Sequence, residues 1–126
     1  MDINDLSGII IGAAIEVHKF LGAGLLEKTY EECLCVELEK QGLNYERQVM
    51  LPIDYKGNLI ENAYRIDILV EDKIIVELKA IEKIEKIHKA QLLTYLRLSK
   101  KELGLLINFN VEVLVTGVSR VINSKK

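Results

Sequence analysis

The chain has 126 residues, of which 49% are hydrophobic and 29% charged, and its formal net charge is −2 at pH 7. This length and composition fit one compact domain, residues 1–126, with a sizeable hydrophobic core. The slightly acidic balance excludes a protein that coats nucleic acid indiscriminately, but it leaves room for a local basic patch.

Helical spacing dominates the first forty residues. Apolar residues recur every three or four positions between 3 and 20, which predicts a first helix ending at the glycines of 22–24. A second apolar stripe predicts another helix from 25 to about 41. The longest apolar stretches, such as IIIGAAI at 9–15, are far shorter than the roughly 20 residues that span a bilayer. Because the acidic start also lacks the pattern of a signal peptide, we expect a cytoplasmic protein without membrane contact.

Two cysteines, Cys33 and Cys35, lie within the second predicted helix. A spacing of two turns their side chains about 200° apart, so they cannot jointly bind a metal or form an ordinary disulfide. We therefore expect two reduced thiols, as is usual in the cytoplasm.

The apolar pattern changes from helical spacing to alternation after Gly42. It predicts three strands, a helix and two closing strands, at residues 46–57, 58–70, 74–81, 84–99, 103–109 and 111–118. A turn at Lys56-Gly57-Asn58 would join the first two strands. Together with the two preceding helices, this order predicts an α/β fold in which helices cover a mixed sheet.

Three charges interrupt the apolar stretch IDILVEDKIIVELKA at 66–80. Glu77 and Lys79 are two apart in a predicted strand and therefore share a face. If the polar tripeptide 71–73 forms the hairpin loop, Asp67 lies opposite Glu77, whereas a two-residue loop would separate the carboxylates. Because an unpaired buried charge is costly, each of these side chains needs a partner, an ion or a task.

A cross-strand ladder of salt bridges is one explanation, with Arg65 joining the three charges. In the favoured register, however, Asp67 faces Glu77 and Arg65 faces Lys79, so that like charges meet and destabilise the pair. Opposite charges face each other only if the loop slides to 72–74, which places an isoleucine in the turn.

A bound cation is the other explanation of the opposed carboxylates. Oxygen ligands suit Mg²⁺ or Mn²⁺ rather than Zn²⁺. A lysine beside such a site could orient an attacking hydroxide or offset charge on a phosphorane-like transition state, which suits phosphodiester hydrolysis.

The same stretch resembles the D-x(n)-E-x-K core of the PD-(D/E)XK nuclease superfamily. GLLEKTY at 24–30 is similar to the G-x-x-E-x-x-Y signature of the small bacterial and archaeal family named for it. Further similar segments are AYRIDILV, HKAQLLTYL and LGLLINFN, and the similarity extends from about Ile9 to Val121. The chain departs from the pattern where Ile66, rather than proline, precedes Asp67, a departure that the superfamily tolerates.

The resemblance implies a restriction-endonuclease-like core of helix, three strands, helix and strand, preceded here by an extra N-terminal helix. It implies Asp67 and Glu77 as metal ligands and Lys79 as the catalytic lysine. Glu27 would be an additional acidic residue of the catalytic site and a further metal ligand. Glu31 lies four residues further on the same helix face and is the alternative to Glu27, although carboxylates near a helix N-terminus also stabilise its dipole.

Substrate contacts are expected from the helix at 84–99. Gln91 and Tyr95 resemble the Q-x-x-x-Y element of RecB-type exonucleases. Lys83, Lys86 and Lys89 recur every three residues, which usually means a solvated face, but next to a nuclease site they would bind the nucleic-acid backbone.

Three further side chains are expected in structural roles. His88 shares a helical stripe with Gln91 and Tyr95, but a structural hydrogen bond is favoured over a ligand role. Tyr30 is expected in the core despite its place in the signature, and His18 as a packing or surface residue of the first helix.

These observations favour a divalent-metal-dependent nuclease that acts on DNA rather than RNA through a metal-activated water. The alternative is a noncatalytic accessory module with the same fold that binds a protein or nucleic acid. Asp67, Glu77 and Lys79 are all intact, which favours the nuclease. A two-carboxylate glycosidase is disfavoured, because Lys79 would keep both carboxylates ionised. A homodimer would suit the cutting of two strands.

Overall fold

A computed structural model describes residues 1–124. These residues form three α-helices, five β-strands and one short 3-10 helix. In chain order they are α1 Ile3–Leu21, α2 Glu27–Lys40, β1 Tyr45–Tyr55, β2 Asn58–Val70, β3 Ile74–Lys79, α3 Lys86–Ser99, β4 Leu103–Asn108, the 3-10 helix Leu114–Gly117 and β5 Val118–Ile122.

The five strands form one mixed sheet in the order β1-β2-β3-β4-β5. Only β3 and β4 are parallel, and α3 is the crossover that a parallel connection requires. The other neighbouring pairs are antiparallel. The predicted mixed sheet is therefore confirmed.

Helices cover both faces of the sheet, as predicted. On one face α1 and α2 pack over a core that includes Ile68, Val76 and Leu105. On the other face, Leu92 and Leu96 of α3 belong to a second cluster with strand residues of the sheet. The backbone of β4 comes very close to α3, since a Cβ atom placed on Gly104 would lie 2.9 Å from Leu92.

The β1–β2 hairpin is longer than the rest of the sheet. β2 has 13 residues whereas β3 has 6, and β2 pairs with β3 only from Ile68 to Val70. The two strands of the hairpin remain paired out to Tyr55 and Asn58, so its far end projects beyond the sheet. Leu59 at this end is 64% exposed.

The prediction of a last strand at 111–118 is wrong. Residues 114–117 form the 3-10 helix, and the strand follows at 118–122. The alternating sequence VEVLV resembles a strand, but tertiary contacts override it, because Leu114 is buried against α1 and Val111 bonds to the same helix. The other predicted helices and strands are confirmed, with ends that differ by one or two residues.

The cysteines of α2 are both free thiols. Burial raises the pKa of the Cys35 thiol to about 11, so this residue is mostly protonated near neutral pH. Among residues 1–124, no helix combines the length and the hydrophobicity that crossing a bilayer requires.

Candidate active site

The predicted register of the β2–β3 hairpin is confirmed. Val70 pairs with Ile74 and Ile68 with Val76, so the loop consists of residues 71–73. One step further along this register, Asp67 lies opposite Glu77. The loop contains no glycine, and Glu71 and Asp72 instead adopt left-handed backbone angles, with φ of 54° and 55°.

The carboxylates of Asp67 and Glu77 each accept a hydrogen bond from the backbone of the opposite strand. The Asp67 N–H donates to Oε2 of Glu77 at 2.8 Å, and the Leu78 N–H donates to Oδ2 of Asp67 at 2.8 Å. The regular pairing of β2 with β3 ends at Ile68 and Val76. Beyond this pair, the two carboxylates accept the hydrogen bonds that link the strands. Both side chains are thereby fixed at the end of the β2–β3 pairing.

Cross-strand salt bridges do not account for the positions of Asp67 and Glu77. Within residues 1–124 the ion pairs are Lys40–Glu37, Arg47–Glu31 and Lys101–Asp72. Neither Asp67 nor Glu77 takes part in one. The cross-strand explanation considered from the sequence is therefore wrong.

The surroundings of Asp67 and Glu77 disfavour two ionised carboxylates, because Lys79 does not neutralise their charge. Glu77 is only 6% exposed, and burial, together with the nearby Asp67 carboxylate, raises its pKa to about 8. Burial also raises the pKa of Asp67. Lys79 opposes both shifts without cancelling them. A divalent cation would compensate this charge.

Glu27, the first residue of α2, faces the same group of charges from the helix side. Burial raises its pKa, Lys79 and the Ala80 backbone amide lower it, and Asp67 raises it further. Residues 1–124 nevertheless contain no group of three or more His, Cys, Asp or Glu placed to hold an ion. Glu27 is thus electrostatically coupled to Asp67 and Glu77 without converging on them. Two carboxylates still suit Mg²⁺, which usually keeps several waters and uses one or two carboxylates with substrate phosphates.

The residues of the GLLEKTY segment explain how Glu27 is positioned. The Tyr30 hydroxyl donates to the Gly22 carbonyl at 2.6 Å and accepts from the Leu25 N–H at 3.1 Å. Its buried ring stacks on Phe109 with centroids 4.4 Å apart, which confirms its prediction as a core residue. The tyrosine therefore ties the loop before α2 to the core and fixes where the helix begins.

Glu31, the alternative to Glu27, already has protein partners for both of its oxygens. Arg47 Nε donates to Oε2 at 2.9 Å, and Gln48 Nε2 donates to Oε1 at 2.8 Å. The carboxylate is buried, as a paired charge can be. This bonding supports a structural role for Glu31 and favours Glu27 as the helix carboxylate of the site.

Lys79 ends β3 and is held by the neighbouring strand β4. It pairs in register with Asn108, and the Phe109 N–H donates to its carbonyl oxygen at 2.9 Å. The buried Asn108 amide donates to the Ile81 carbonyl at 2.9 Å and accepts from the Ile81 N–H at 3.1 Å. Asn108 thus fixes the backbone just after the lysine. Sequence analysis missed this role, and the only signal is one polar residue at the end of the apolar run LGLLIN.

The α3 residues differ in how close they lie to this site. Burial raises the pKa of Tyr95, and Glu77 and Asp67 raise it further, so this ring lies near the carboxylates. It stacks on Tyr64, with centroids 4.8 Å apart. Gln91, by contrast, is exposed, and within residues 1–124 no hydrogen bond joins it to the carboxylates.

Lys83 lies in the loop before α3 and Lys86 is the first residue of that helix. Both are exposed, and within residues 1–124 no ion pair joins them to the carboxylates. His88 accepts the Glu85 N–H on Nδ1 at 2.8 Å, which confirms its structural hydrogen bond at the helix cap. His18 is buried, with Nε2 at 2.7 Å from the Val111 carbonyl oxygen, and is therefore a packing residue.

Gln48 is a second residue of the site that sequence analysis missed. The pairs Arg47–Ile68 and Val49–Ile66 place it opposite Asp67, and its φ of 52° is left-handed. Ile66 packs toward α3 and Ile68 toward α1 and α2, although residues two apart in a regular strand share a face. The hairpin is therefore irregular at Gln48 and Asp67.

The fold is that of a restriction-endonuclease-like protein. Residues 4–121 match the family model described as the PD-(D/E)XK nuclease superfamily. The chain belongs to this superfamily, whose nucleases generally use divalent metal ions.

One solved structure is similar in fold, the crystal structure of a protein called SSO0001. It is 16% identical, with a TM-score of 0.51, and the match covers 96% of this chain and 79% of that chain. This likeness supports the fold alone. A search of curated proteins gives no match.

Proposed function

We propose that this protein is a divalent-metal-dependent nuclease of the G-x-x-E-x-x-Y branch, with DNA favoured over RNA as its substrate. The observation that carries the proposal is the pair of hydrogen bonds from the Asp67 and Leu78 N–H groups to the Glu77 and Asp67 carboxylates, which brings a buried and a partly buried carboxylate together near Lys79. Membership of a nuclease superfamily makes phosphodiester hydrolysis the chemistry that suits this arrangement. The Gly24, Glu27 and Tyr30 positions support the branch assignment.

Asp67 and Glu77 would bind Mg²⁺ or Mn²⁺ directly, and Glu27 would reach the ion through water. A bound cation supplies a Lewis acid for the phosphate and lowers the pKa of an attacking water. The chain itself contributes the two carboxylate ligands, whose ionised form a bound cation would favour, and the backbone bonds that orient both of them.

Lys79 would act on the reacting phosphate. Its ammonium group is close enough to lower the pKa of Glu27, Asp67 and Glu77, so it belongs to the same electrostatic unit. A fixed positive charge there would offset negative charge that grows on the phosphate oxygens in the transition state.

Nucleic acid would extend from the carboxylates along α3. Tyr95 lies near Asp67 and Glu77 and is suited to contact the nucleotide at the scissile bond. Gln91, Lys83 and Lys86 are exposed and would bind more distant parts of the substrate, with an affinity that falls as salt rises. We also propose one domain, a cytoplasmic location in keeping with the free thiols, and a homodimer that cuts two strands.

A noncatalytic accessory module is the second candidate. The observation that favours it is the lack, within residues 1–124, of a third metal-binding side chain converging with Asp67 and Glu77. Such a module would bind nucleic acid or a protein partner on the same fold without hydrolysing it.

Cleavage assays distinguish the two candidates. The purified protein is incubated with linear, circular and single-stranded DNA and with RNA, in Mg²⁺, Mn²⁺ or EDTA. We expect cleavage only with a divalent cation, and a loss of at least about 100-fold in rate for Glu77→Ala and Lys79→Ala. Lys73→Ala is the matched control. Lys73 ends the loop tripeptide Glu71-Asp72-Lys73, which has the same E-x-K spacing as Glu77 and Lys79 but lies on the surface, so this substitution should leave the rate unchanged.

Cleavage that persists in EDTA or in the Glu77→Ala protein would contradict the mechanism. If the wild-type protein neither cleaves any substrate nor binds Mn²⁺, the accessory module is the correct interpretation.

A further inference from the structure

The irregular point of the β1–β2 hairpin lies directly beside the candidate metal ligands. Non-glycine residues with positive φ carry a backbone cost of about 1 kcal/mol or more, and they often occur at functional sites. Gln48 takes such a conformation inside β1, opposite Asp67. The residue with left-handed backbone, Gln48, therefore lies next to the candidate metal ligand Asp67.

The side chain of Gln48 is anchored at its far end. Its Nε2 atom donates to Oε1 of the buried Glu31 at 2.8 Å, while Arg47 neutralises the other oxygen of Glu31. The Gln48 amide therefore cannot move freely, although the residue lies on an edge strand and is exposed to solvent.

The same amide also interacts with Asp67. Gln48 lies directly opposite Asp67 in the β1–β2 pairing, and its side chain is within hydrogen-bonding reach of the Asp67 carboxylate. A glutamine amide has two N–H groups, so a single nitrogen can lie between the two carboxylates and donate to each. The Leu78 N–H holds Oδ2 of Asp67 from the β3 side. Asp67 is thus oriented from both neighbouring strands.

We propose that Gln48 is a positioning residue, which holds the Asp67 carboxylate in the orientation that divalent-cation binding requires and is itself anchored on Glu31. This inference rests on the proposed function, because it concerns the same candidate metal site. Partners that orient metal ligands typically change metal affinity by about 10–100-fold when they are removed.

The test is calorimetric titration with Mn²⁺ alone, in the absence of nucleic acid. Gln48→Met keeps the length and the unbranched shape of the side chain but removes the amide, and we expect its Kd for Mn²⁺ to rise by about 10–100-fold. Gln48→Asn keeps an amide that is one methylene too short, while Asn tolerates left-handed backbone better than most residues. We expect this variant to fold at least as well as the Met variant and still to bind Mn²⁺ weakly.

Asn62→Met is the matched control. Asn62 also has a left-handed φ, of 53°, but it is an exposed residue of the projecting part of β2. Placing Met there gives a similar backbone cost without a change near the carboxylates. Its Kd for Mn²⁺ should equal that of the wild-type protein, even if its unfolding temperature falls.

Each outcome is decisive. If Gln48→Met and Gln48→Asn both bind Mn²⁺ with wild-type affinity, the positioning role is wrong while the nuclease proposal stands. If the wild-type protein binds no Mn²⁺, both proposals fail. Circular dichroism establishes that each variant is folded, and Gln48→Asn alone decides the matter if the Met variant does not fold.

Discussion

At the scale of single residues, burial changes the titration of the Glu77 carboxyl group. In the folded protein without metal its pKa is about 8, against an ordinary 4.5, because burial and Asp67 both disfavour its charge. The folded state therefore holds this proton more tightly than the unfolded chain does. Stability that is present below about pH 4.5 is lost as the pH rises toward 8.

Replacing Glu77 with glutamine should remove most of this loss. In EDTA near pH 8.5, we expect Glu77→Gln to unfold at a higher urea concentration than the wild-type protein, with a free energy of unfolding that is greater by a few kcal/mol. Near pH 4.5 we expect little difference between the two proteins. The amide oxygen can still accept the Asp67 N–H, so the fold is kept. Urea titrations across this pH range measure the effect, and equal pH dependence of the two proteins would contradict it.

Gln48 and Asn108, the two residues that sequence analysis missed, show where local sequence patterns stop being informative. Asp67 and Glu77 could be paired by counting from a polar loop. Counting from the turn of the β1–β2 hairpin, however, pairs Asp67 with Glu46, because the register shifts by two residues beyond Leu51. Only the folded hairpin places Gln48 opposite Asp67. Asn108 could not be found either, since its neighbour strand is reached through the α3 crossover.

At the scale of elements, the loop between α1 and α2 determines where Glu27 lies. Tyr30 closes this loop through Gly22 and Leu25, and Gly24 within it has a φ of 96° that favours glycine. A tyrosine three residues after the glutamate therefore acts on the glutamate through the backbone. This gives the G-x-x-E-x-x-Y spacing a structural reason.

Removal of the Tyr30 hydroxyl tests this reason. Tyr30→Phe keeps the stacking on Phe109 but loses two hydrogen bonds, so we expect about 1–2 kcal/mol less stability and a lower cleavage rate. Tyr45→Phe is the control, because its hydroxyl bonds to Glu39 on the surface and its loss should cost under about 0.5 kcal/mol. Urea unfolding and cleavage assays give the two readouts. Unchanged cleavage by a folded Tyr30→Phe protein would mean that the loop does not position Glu27.

At the scale of the whole molecule, stability should be concentrated in the middle of the sheet. β3 and β4 are buried on both faces and have strands on both sides, whereas within residues 1–124 no third strand pairs with the far end of the β1–β2 hairpin, whose turn is exposed. An isolated two-stranded hairpin is marginally stable in water. The end of the hairpin is thus the part of the sheet that opens most readily.

Hydrogen exchange followed by mass spectrometry measures this difference. We expect amides of β3 and β4 to exchange only through global unfolding, while amides of residues 54–61 exchange orders of magnitude faster. The measurement is repeated over a range of protein concentrations. Protection of 54–61 that increases with concentration would show that the hairpin is covered in a homodimer.

The projecting hairpin also offers a place to modify the protein without touching its chemistry. The turn at Lys56 and Gly57 closes the far end of the hairpin, with Gly57 ten residues before Asp67 in the sequence, and both turn residues are exposed. Exposed loop tips are the positions that best tolerate insertions. A fluorescent label or a short affinity peptide grafted there would leave the carboxylates intact and would report on substrate docking from a position outside the sheet.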